Sequence, residues 1–361
     1  MILSKDLEYI FVHGLSGWGS YDEQYIKMPY WGMRGGDLIP YLRNRGYRSY
    51  AASVAPAGSA WDRACELYAQ LAGKRVDYGK AHSEKYGHAR FGRDFSGCPL
   101  IPAWSEKTEL VLLGHSFGGA TVRLFSELMA NGDEEERTAS SGEDISPLFQ
   151  GGMEKMIHSI VTLASPMNGT TAYDMFEDPD FDPGSVKVPW WSRKAADLMS
   201  RGTRRGADAR DPKDSAAFDM HIDNAYAMNG RITTLPGTYY FSIPCAYTVK
   251  RKDGTHVPKG DMEPLFAMRS YQIGAYKGKT AGGIVLDEEW RENDGLVNTI
   301  SAMVPSGAPS KKLDRNNIEK GKWNVFPTVD GDHMFLQGGL IHKHYIRELY
   351  LDILSLISPL Y

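Results

Sequence analysis

A serine flanked by glycines stands at 114–118, in the pattern Gly-x-Ser-x-Gly. The apolar run Leu110 to Leu113 before it predicts a buried strand, and Ala120 to Met129 after it predicts a helix. Between a strand and a helix this pattern forces the serine into a strained turn, and the glycines leave room for the neighbouring elements. We therefore expect the hydroxyl of Ser116 to stand above a helix N-terminus, where it can act as a nucleophile.

A serine nucleophile needs a base, and the base needs a carboxylate that orients it. The best candidate base is His333, in a polar turn ahead of the apolar helical pattern at 345–357. Its rivals are His342 and His344, at or near the start of that helix. The best candidate acid is Asp294, in an Asp-Gly turn. The competing acids that spacing alone leaves open are Asp287, Asp330 and Asp332.

Acyl transfer also needs two backbone N–H groups aimed at the oxygen of the tetrahedral intermediate. The residue after the nucleophile, Phe117, should supply one of them. The second should come from the loop at 13–19, which follows the strand predicted at Tyr9 to Val12, and Leu15 is the expected donor. Both side chains are apolar, and we expect them to shape the acyl pocket.

A second group of reactive side chains lies in the aromatic and charged segment from Trp61 to Arg93. It contains Asp62, His82 and His88. Two imidazoles and a carboxylate suit Zn²⁺ in a closed tetrahedral site, although histidines in a polar loop are often only solvated. A fourth ligand must come from elsewhere in the chain. The density of charge predicts a segment held by something other than plain core packing.

The elements that position these residues alternate along the chain. Strands are predicted at 9–12, 110–113, 156–163 and 239–243, and helices at 37–45, 120–129 and 345–357. This alternation is typical of an α/β fold, a mostly parallel sheet with helices on both faces. A serine followed by an acid and then a histidine is the chain order of the α/β-hydrolase fold.

Composition excludes several classes of protein. Apolar residues make up 42% and charged residues 24% of 361 residues, and the net charge is −4, without a basic and aromatic cluster. We therefore expect a globular protein without a nucleic-acid partner and without a transmembrane segment. Three cysteines do not fix the redox compartment. The first six residues lack signal-peptide features, which leaves a cytoplasmic protein or a secreted one whose leader was removed.

Longer stretches resemble the zinc-containing, thermoalkaliphilic lipases of Gram-positive bacteria, which are α/β-hydrolases. The resemblance lies in Trp-Asp-Arg-Ala-Cys-Glu at 61–66, and in the stretches at 13–19, 30–32, 76–79, 87–93, 146–149, 165–171, 292–299 and 332–333. It implies a triad of Ser116, Asp294 and His333, and a structural zinc on Asp62, His82, His88 and Asp219. It also implies secretion.

Three features differ from that family. The lid expected at 171–220 is shorter than the lid of that family, and a shorter lid predicts weak activation at a lipid interface. In this feature the chain resembles esterases of anaerobic bacteria that attack aliphatic polyesters. In that family, acidic residues after the catalytic histidine help to bind calcium. No carboxylate lies at 334–338, directly after His333, so calcium is not expected. Phe117 stands where glutamine is common in that family.

The paired tryptophans Trp190 and Trp191 fit either a buried anchor or a surface that contacts an insoluble substrate.

The sequence therefore predicts one α/β-hydrolase domain over 1–361, with a zinc-binding insertion at 61–93 and a lid insertion at 171–220. Its expected activity is hydrolysis of acylglycerols or other apolar carboxylic esters through an acyl-enzyme. Aliphatic polyesters or short-chain esters are the alternative substrates. An amidase, a thioesterase or a non-catalytic binding protein is less well supported.

Overall fold

The computed structural model describes residues 7–140, 144–194 and 211–360. The strands are β1 (Leu7–Val12), β2 (Arg48–Ala52), β3 (Arg75–Asp77), β4 (Phe91–Asp94), β5 (Glu109–His115), β6 (Ile157–Leu163), β7 (Tyr239–Ile243), β8 (Cys245–Ala246), β9 (Thr248–Lys250), β10 (His256–Pro258), β11 (Gly278–Lys279), β12 (Val285–Leu286), β13 (Ser310–Lys312), β14 (Trp323–Val325) and β15 (Val329–Asp330).

The labelled α-helices are α1 (Glu23–Lys27), α2 (Leu38–Arg43), α3 (Ala60–Ala72), α4 (Lys80–Tyr86), α5 (Gly118–Asn131), α6 (Glu134–Ala139), α7 (Pro147–Gln150), α8 (Thr171–Asp174), α9 (Ala216–Asp219), α10 (Ile222–Asn229), α11 (Pro264–Ala275) and α12 (Arg347–Ile357). Short 3-10 turns lie at Met33–Gly35, Glu154–Met156, Pro183–Ser185, Glu288–Arg291, Thr299–Ala302 and Phe335–Gln337.

Seven strands form one sheet in the order β13-β14-β7-β6-β5-β1-β2. Every pair of neighbours in it is parallel. Parallel strands end at the same edge of a sheet, so the loops after β1, β5 and β6 meet there. This edge brings the residues at 13–19 next to those around Ser116.

Alternate side chains of the central strands enter two separate cores. Ile10, Leu112 and Ile160 pack with α3 and α5 on one face of the sheet. Phe11 and Val111 pack with α2 and α12 on the other face. Because both faces are covered by helices, these strands are buried at nearly every position, and the apolar residues within them predicted the strands from the sequence.

The mostly parallel sheet predicted from the sequence is confirmed, as are the strands and helices predicted for it. The insertion predicted at 61–93 is only partly separate from the core. Its first third belongs to α3, where residues such as Leu67 and Leu71 are fully buried against the sheet. The expectation that this segment lacks plain core packing is therefore wrong for α3. Of the segment predicted as a lid, 195–210 lies outside the described residues, including the basic stretch at 201–210.

The turn between β5 and α5 is tightly enclosed. Ser116 has φ 53°, a backbone conformation that serine rarely adopts. A Cβ at Gly114 would collide with the carbonyl of Gly118, and a Cβ at Gly118 would collide with the carbonyl of Val12 in β1. The glycines are therefore required by the packing of β5 and α5 against each other and against β1.

Gly118→Ala should lower the free energy of unfolding by about 1 to 3 kcal/mol, because the added methyl has no space beside β1. Gly237→Ala is the matched control, since a Cβ there meets no atom within 4 Å. Chemical denaturation of the two variants and the wild type would measure the difference. A Gly118→Ala protein as stable as the wild type would show that the turn is not close-packed.

Candidate active site and metal centre

The turn after β5 brings together the three residues expected to carry the chemistry. His333 Nε2 lies 2.9 Å from Ser116 Oγ, and His333 Nδ1 lies 2.8 Å from Asp294 Oδ2. All three residues are buried. The arrangement lets the histidine ring accept a proton from the serine while the carboxylate fixes its tautomer.

Backbone hydrogen bonds fix the acid and the base relative to each other. The other carboxylate oxygen of Asp294 accepts from the N–H groups of Leu296 and Val297, at 3.0 and 2.8 Å. The His333 N–H donates to the Asp294 carbonyl at 2.8 Å. The Asp294 carboxylate is therefore held in place from two directions.

The rival residues have other partners. Asp287 accepts from the Glu289 N–H at 3.0 Å, Asp330 pairs with Lys259, and Asp332 accepts from the Glu263 N–H at 2.7 Å. The ring of His344 packs against Phe335 instead of approaching Ser116. Only the fold separates these acids from Asp294, since each lies in a polar stretch of the sequence before the C-terminal helix.

A second histidine, His115, is neutral and contacts the backbone of the base, His333. His115 is fully buried, and burial lowers its pKa well below the ordinary value, with a further contribution from His333. Its Nε2 lies 3.0 Å from the His333 carbonyl and its Nδ1 lies 2.8 Å from the hydroxyl of Tyr30. One neutral tautomer satisfies both contacts, with Nε2–H donating and Nδ1 accepting.

The loop after β1 lies directly over Ser116. A Cβ at Gly14 would come within 2.7 Å of the Ser116 Cβ. The Gly14 N–H donates to the Tyr30 hydroxyl at 3.1 Å and the Ser16 N–H donates to the Pro56 carbonyl at 2.8 Å. The residue between them, Leu15, has a partly exposed side chain. That the Leu15 N–H donates to the oxyanion stays a prediction.

The side chain of Phe117 does not shape an open pocket, contrary to the expectation from the sequence. It is fully buried and packs with Ala60, Ala216 and Met220. The guanidinium of Arg63 lies 5.1 Å from the centre of its ring. Phe117 turns inward because the tight turn at Ser116 points the next side chain toward α3 and α9. Its backbone N–H is still positioned at the start of α5.

Arg63 is a buried cation that ties α3 to this loop. Its Nε donates to the Thr121 hydroxyl on α5 at 2.8 Å, one terminal nitrogen donates to the Ala55 carbonyl at 3.1 Å, and the other donates to the His13 carbonyl. Burial lowers its pKa to about 10, so the group stays charged at neutral pH. The sequence did not reveal this residue, because an arginine inside a helix is usually exposed.

A second site lies where α3 begins. Single ligand atoms from Asp62, His82, His88 and Asp214 all lie within 4.8 Å of one another. His82 Nε2 is 3.3 Å from both Asp62 Oδ1 and Asp214 Oδ1, and His88 Nε2 is 3.4 Å from Asp214 Oδ2. A tetrahedron with metal–ligand distances of about 2.0 to 2.1 Å has edges of about 3.3 to 3.4 Å, so these spacings match those around a tetrahedral metal.

Several of these atoms lack hydrogen-bond partners in the described part of the chain. The Nε2 atoms of His82 and His88 and both carboxylate oxygens of Asp214 are buried without one. Buried polar atoms are normally satisfied, so the convergence of these unpaired atoms indicates a site suited to a cation. His88 Nδ1 lies 2.9 Å from the Ala89 carbonyl, which leaves Nε2 free to bind a metal.

Asp214, not Asp219, stands at the fourth position of this group, which corrects the expectation from the resemblance. The Asp219 carboxylate instead accepts from the Ala60 N–H at 2.7 Å and so caps the start of α3. Both aspartates lie in the same short segment, and only the fold decides which one reaches the histidines.

A parallel sheet with a serine in a strained turn after β5, followed along the chain by an acid and a histidine in contact with it, defines an α/β-hydrolase. The α/β-hydrolase fold is thereby confirmed. The profile of the family described as "Lipase-like, C-terminal domain" matches residues 5–181 and 204–346. The chain belongs to this family, and the resemblance found in the sequence is confirmed.

Individual relatives give the same result. A lipase of Staphylococcus hyicus is 34% identical over 367 residues, covering 94% of this chain and 55% of that protein. The chain spans about half the length of the curated relatives it matches. The structure of EstA from Clostridium botulinum superimposes with TM-score 0.84 at 31% identity, covering 99% of this chain and 88% of that one. The Staphylococcus hyicus lipase structure gives 0.80 at 28% identity, with 99% and 97% covered.

Within the described residues, no helix has the length and apolar character needed to cross a bilayer.

Asp214→Asn should remove most of the bound metal and lower the melting temperature. A neutral amide is a poor metal ligand, and without the metal the Nε2 atoms of the two histidines stay buried without a partner. Asp219→Asn is the matched control: it removes a carboxylate from the same segment, keeps an acceptor for the Ala60 N–H, and should retain the metal. Elemental analysis of protein purified without added metal measures both. Metal loss in Asp219→Asn with full retention in Asp214→Asn would reverse this assignment.

Proposed function

We propose that this chain hydrolyses apolar carboxylic esters through an acyl-enzyme. The observation that carries the proposal is the continuous contact from Ser116 Oγ through the His333 ring to the Asp294 carboxylate, at 2.9 and 2.8 Å. Relatives described as lipases support the choice of esters over other acyl compounds.

In the first half of the reaction, Ser116 Oγ attacks the ester carbonyl and its proton moves to His333 Nε2. The tetrahedral intermediate then collapses, the bond to the alcohol oxygen breaks, and His333 returns the proton to that oxygen. In the second half, water attacks the acyl-serine while His333 takes a proton from it. The bond between the acyl carbon and Ser116 Oγ then breaks, His333 returns the proton to Oγ, and the carboxylic acid leaves. Asp294 holds the imidazole and stabilises its charged form throughout.

The oxyanion of each intermediate would be bound by the N–H groups of Leu15 and Phe117. The Phe117 N–H stands at the N-terminus of α5, whose dipole favours negative charge. The Leu15 N–H lies in the loop that Arg63 holds through the His13 carbonyl. Each donor of this kind contributes a few kcal/mol to the transition state.

The metal of the second site would be a structural Zn²⁺ held by Asp62, His82, His88 and Asp214. Two imidazole nitrogens and two carboxylate oxygens suit zinc, and four protein ligands leave no open position for a catalytic water. Zn²⁺ would supply charge compensation for the two buried aspartates. The elemental analysis described above should therefore find about one zinc per chain. That calcium is not required stays a prediction from the sequence.

The substrate would be an ester of low polarity, met in solution or at the surface of a lipid or polymer. Action outside the cell, which the resemblance implies, and the absence of a nucleic-acid partner stay predictions. Nothing in the proposed chemistry depends on either of them.

Ser116→Ala should reduce kcat/KM for p-nitrophenyl butyrate by at least about 10³-fold, because the remaining groups cannot replace the nucleophile. A fluorophosphonate should label the wild type but not this variant. Ser105→Ala, at an exposed serine in a distant loop, is the matched control and should keep full activity. Ser116→Ala activity within tenfold of the wild type would rule out the proposal.

The segment at 171–220 would act as a short lid. Within its described part, Trp190 is 70% exposed and Trp191 is 39% exposed. A buried anchor is thereby excluded for Trp190. Two neighbouring aromatic side chains in water are costly unless they contact a partner, and an apolar substrate surface is such a partner. A short lid would cover the site with few residues, so its opening should expose little apolar area, and interfacial activation should be weak.

Replacing Trp190 and Trp191 together by alanine should reduce hydrolysis of emulsified tributyrin several-fold more than hydrolysis of dissolved p-nitrophenyl butyrate. The physical reason is lost adsorption, which only the insoluble substrate requires. Val285→Ala, at another exposed apolar side chain, is the control and should affect neither substrate. Equal losses on both substrates, with a lower melting temperature, would instead indicate a structural role.

A further inference from the structure

A cavity of about 450 Å³ lies beside α5, and no residue of the proposed triad lines it. Its walls combine hydroxyl and amide groups with aromatic rings and a single cation, Arg123. Among the described residues, no aspartate or glutamate lines it. A cavity of this size falls in the range of small-molecule sites, and its mixture of apolar walls with a few polar groups is typical of them.

The guanidinium of Arg123 is the unusual feature of this cavity. The residue is 4% exposed, and the only hydrogen bond of its side chain within the described chain runs from Nη2 to the Asn229 amide oxygen, at 2.7 Å. An arginine has five N–H donors, and no described carboxylate lies within 4 Å of this one. Burial lowers its pKa to about 10, so it remains charged at neutral pH. Buried charges are normally paired, because an uncompensated one is costly.

The neighbouring groups that could compensate Arg123 have other partners or are neutral, and none of them forms an ion pair with it in the described part of the chain. Glu127, one turn further along α5, accepts from the Thr233 N–H and from the Asn131 amide, each at 2.7 Å. Burial raises the pKa of Tyr240 to about 12, so this phenol is neutral. Ser306 accepts from the Asn229 amide at 3.1 Å, which leaves its own hydroxyl hydrogen free to donate.

We propose that this cavity binds a small monocarboxylate with an apolar body. One guanidinium compensates one negative charge, and no second cation lines the described walls to hold a doubly charged phosphate. The carboxylate would pair with Arg123 and accept from the Ser306 hydroxyl. Ile160, Tyr240 and Trp323 would contact the apolar body. This site is separate from ester hydrolysis and does not depend on Ser116.

Calorimetric titration of the intact protein with sodium butyrate and with sodium benzoate tests the proposal. We expect saturable binding of at least one acid at one site per chain, and inorganic phosphate should bind at least tenfold more weakly. Arg123→Gln should weaken acid binding at least tenfold. Arg231→Gln removes an exposed arginine outside this cavity and should leave binding unchanged.

A second variant keeps the test decisive if Arg123→Gln does not fold. Thr234→Phe narrows the cavity at a half-buried wall position without removing the cation. It should abolish acid binding while melting temperature and p-nitrophenyl butyrate hydrolysis stay near wild type. The proposal is overturned if neither acid binds the wild type below about 10 mM, if binding survives in a folded variant of either kind, or if phosphate binds as tightly as the acids.

Discussion

The rest of the site depends on the close packing of three glycines around Ser116. Side chains at 114, 118 and 119 would collide with α5, β1 and the residues after β6. The serine is therefore held at φ 53° by its neighbours, not by its own preference. Strain of this kind persists only where the surroundings over-determine the backbone. The benefit is a hydroxyl fixed within hydrogen-bond distance of a histidine that arrives 217 residues later in the chain.

Buried polar contacts extend this rigidity to the other loops. Arg63 joins the carbonyl of His13 to the Thr121 hydroxyl on α5, so the loop after β1 cannot shift without moving a buried charge. On the other side, His115 joins the Tyr30 hydroxyl to the carbonyl of His333. These contacts involve loops far apart in sequence, and each would leave an unsatisfied buried group if broken.

The sequence was sufficient for the parts of the fold governed by local pattern. β1, β5, β6 and β7 are apolar runs buried on both faces, and the turn at Ser116 has a recognisable glycine pattern. β2 was not predicted because Arg48–Ala52 contains no apolar run, and β13 and β14 were missed because each has only three residues. The burial of Arg63 depends on carbonyls contributed by a distant loop, which no local pattern records.

At the metal site, too, the sequence could not decide between two residues, Asp214 and Asp219. Both carboxylates approach the start of α3, where Asp62 already lies, and three negative charges cannot share that position without compensation. Burial raises the pKa of Asp219 to about 7, and the charge of Asp214 adds to this effect. The Ala60 N–H at the N-terminus of α3 donates to the Asp219 carboxylate. Asp214 and Asp62 therefore remain as the two carboxylates that could bind a cation. Because Asp62 and Arg63 are consecutive in α3, a single helix holds both a residue of the possible metal-binding group and the guanidinium that anchors the loop over Ser116.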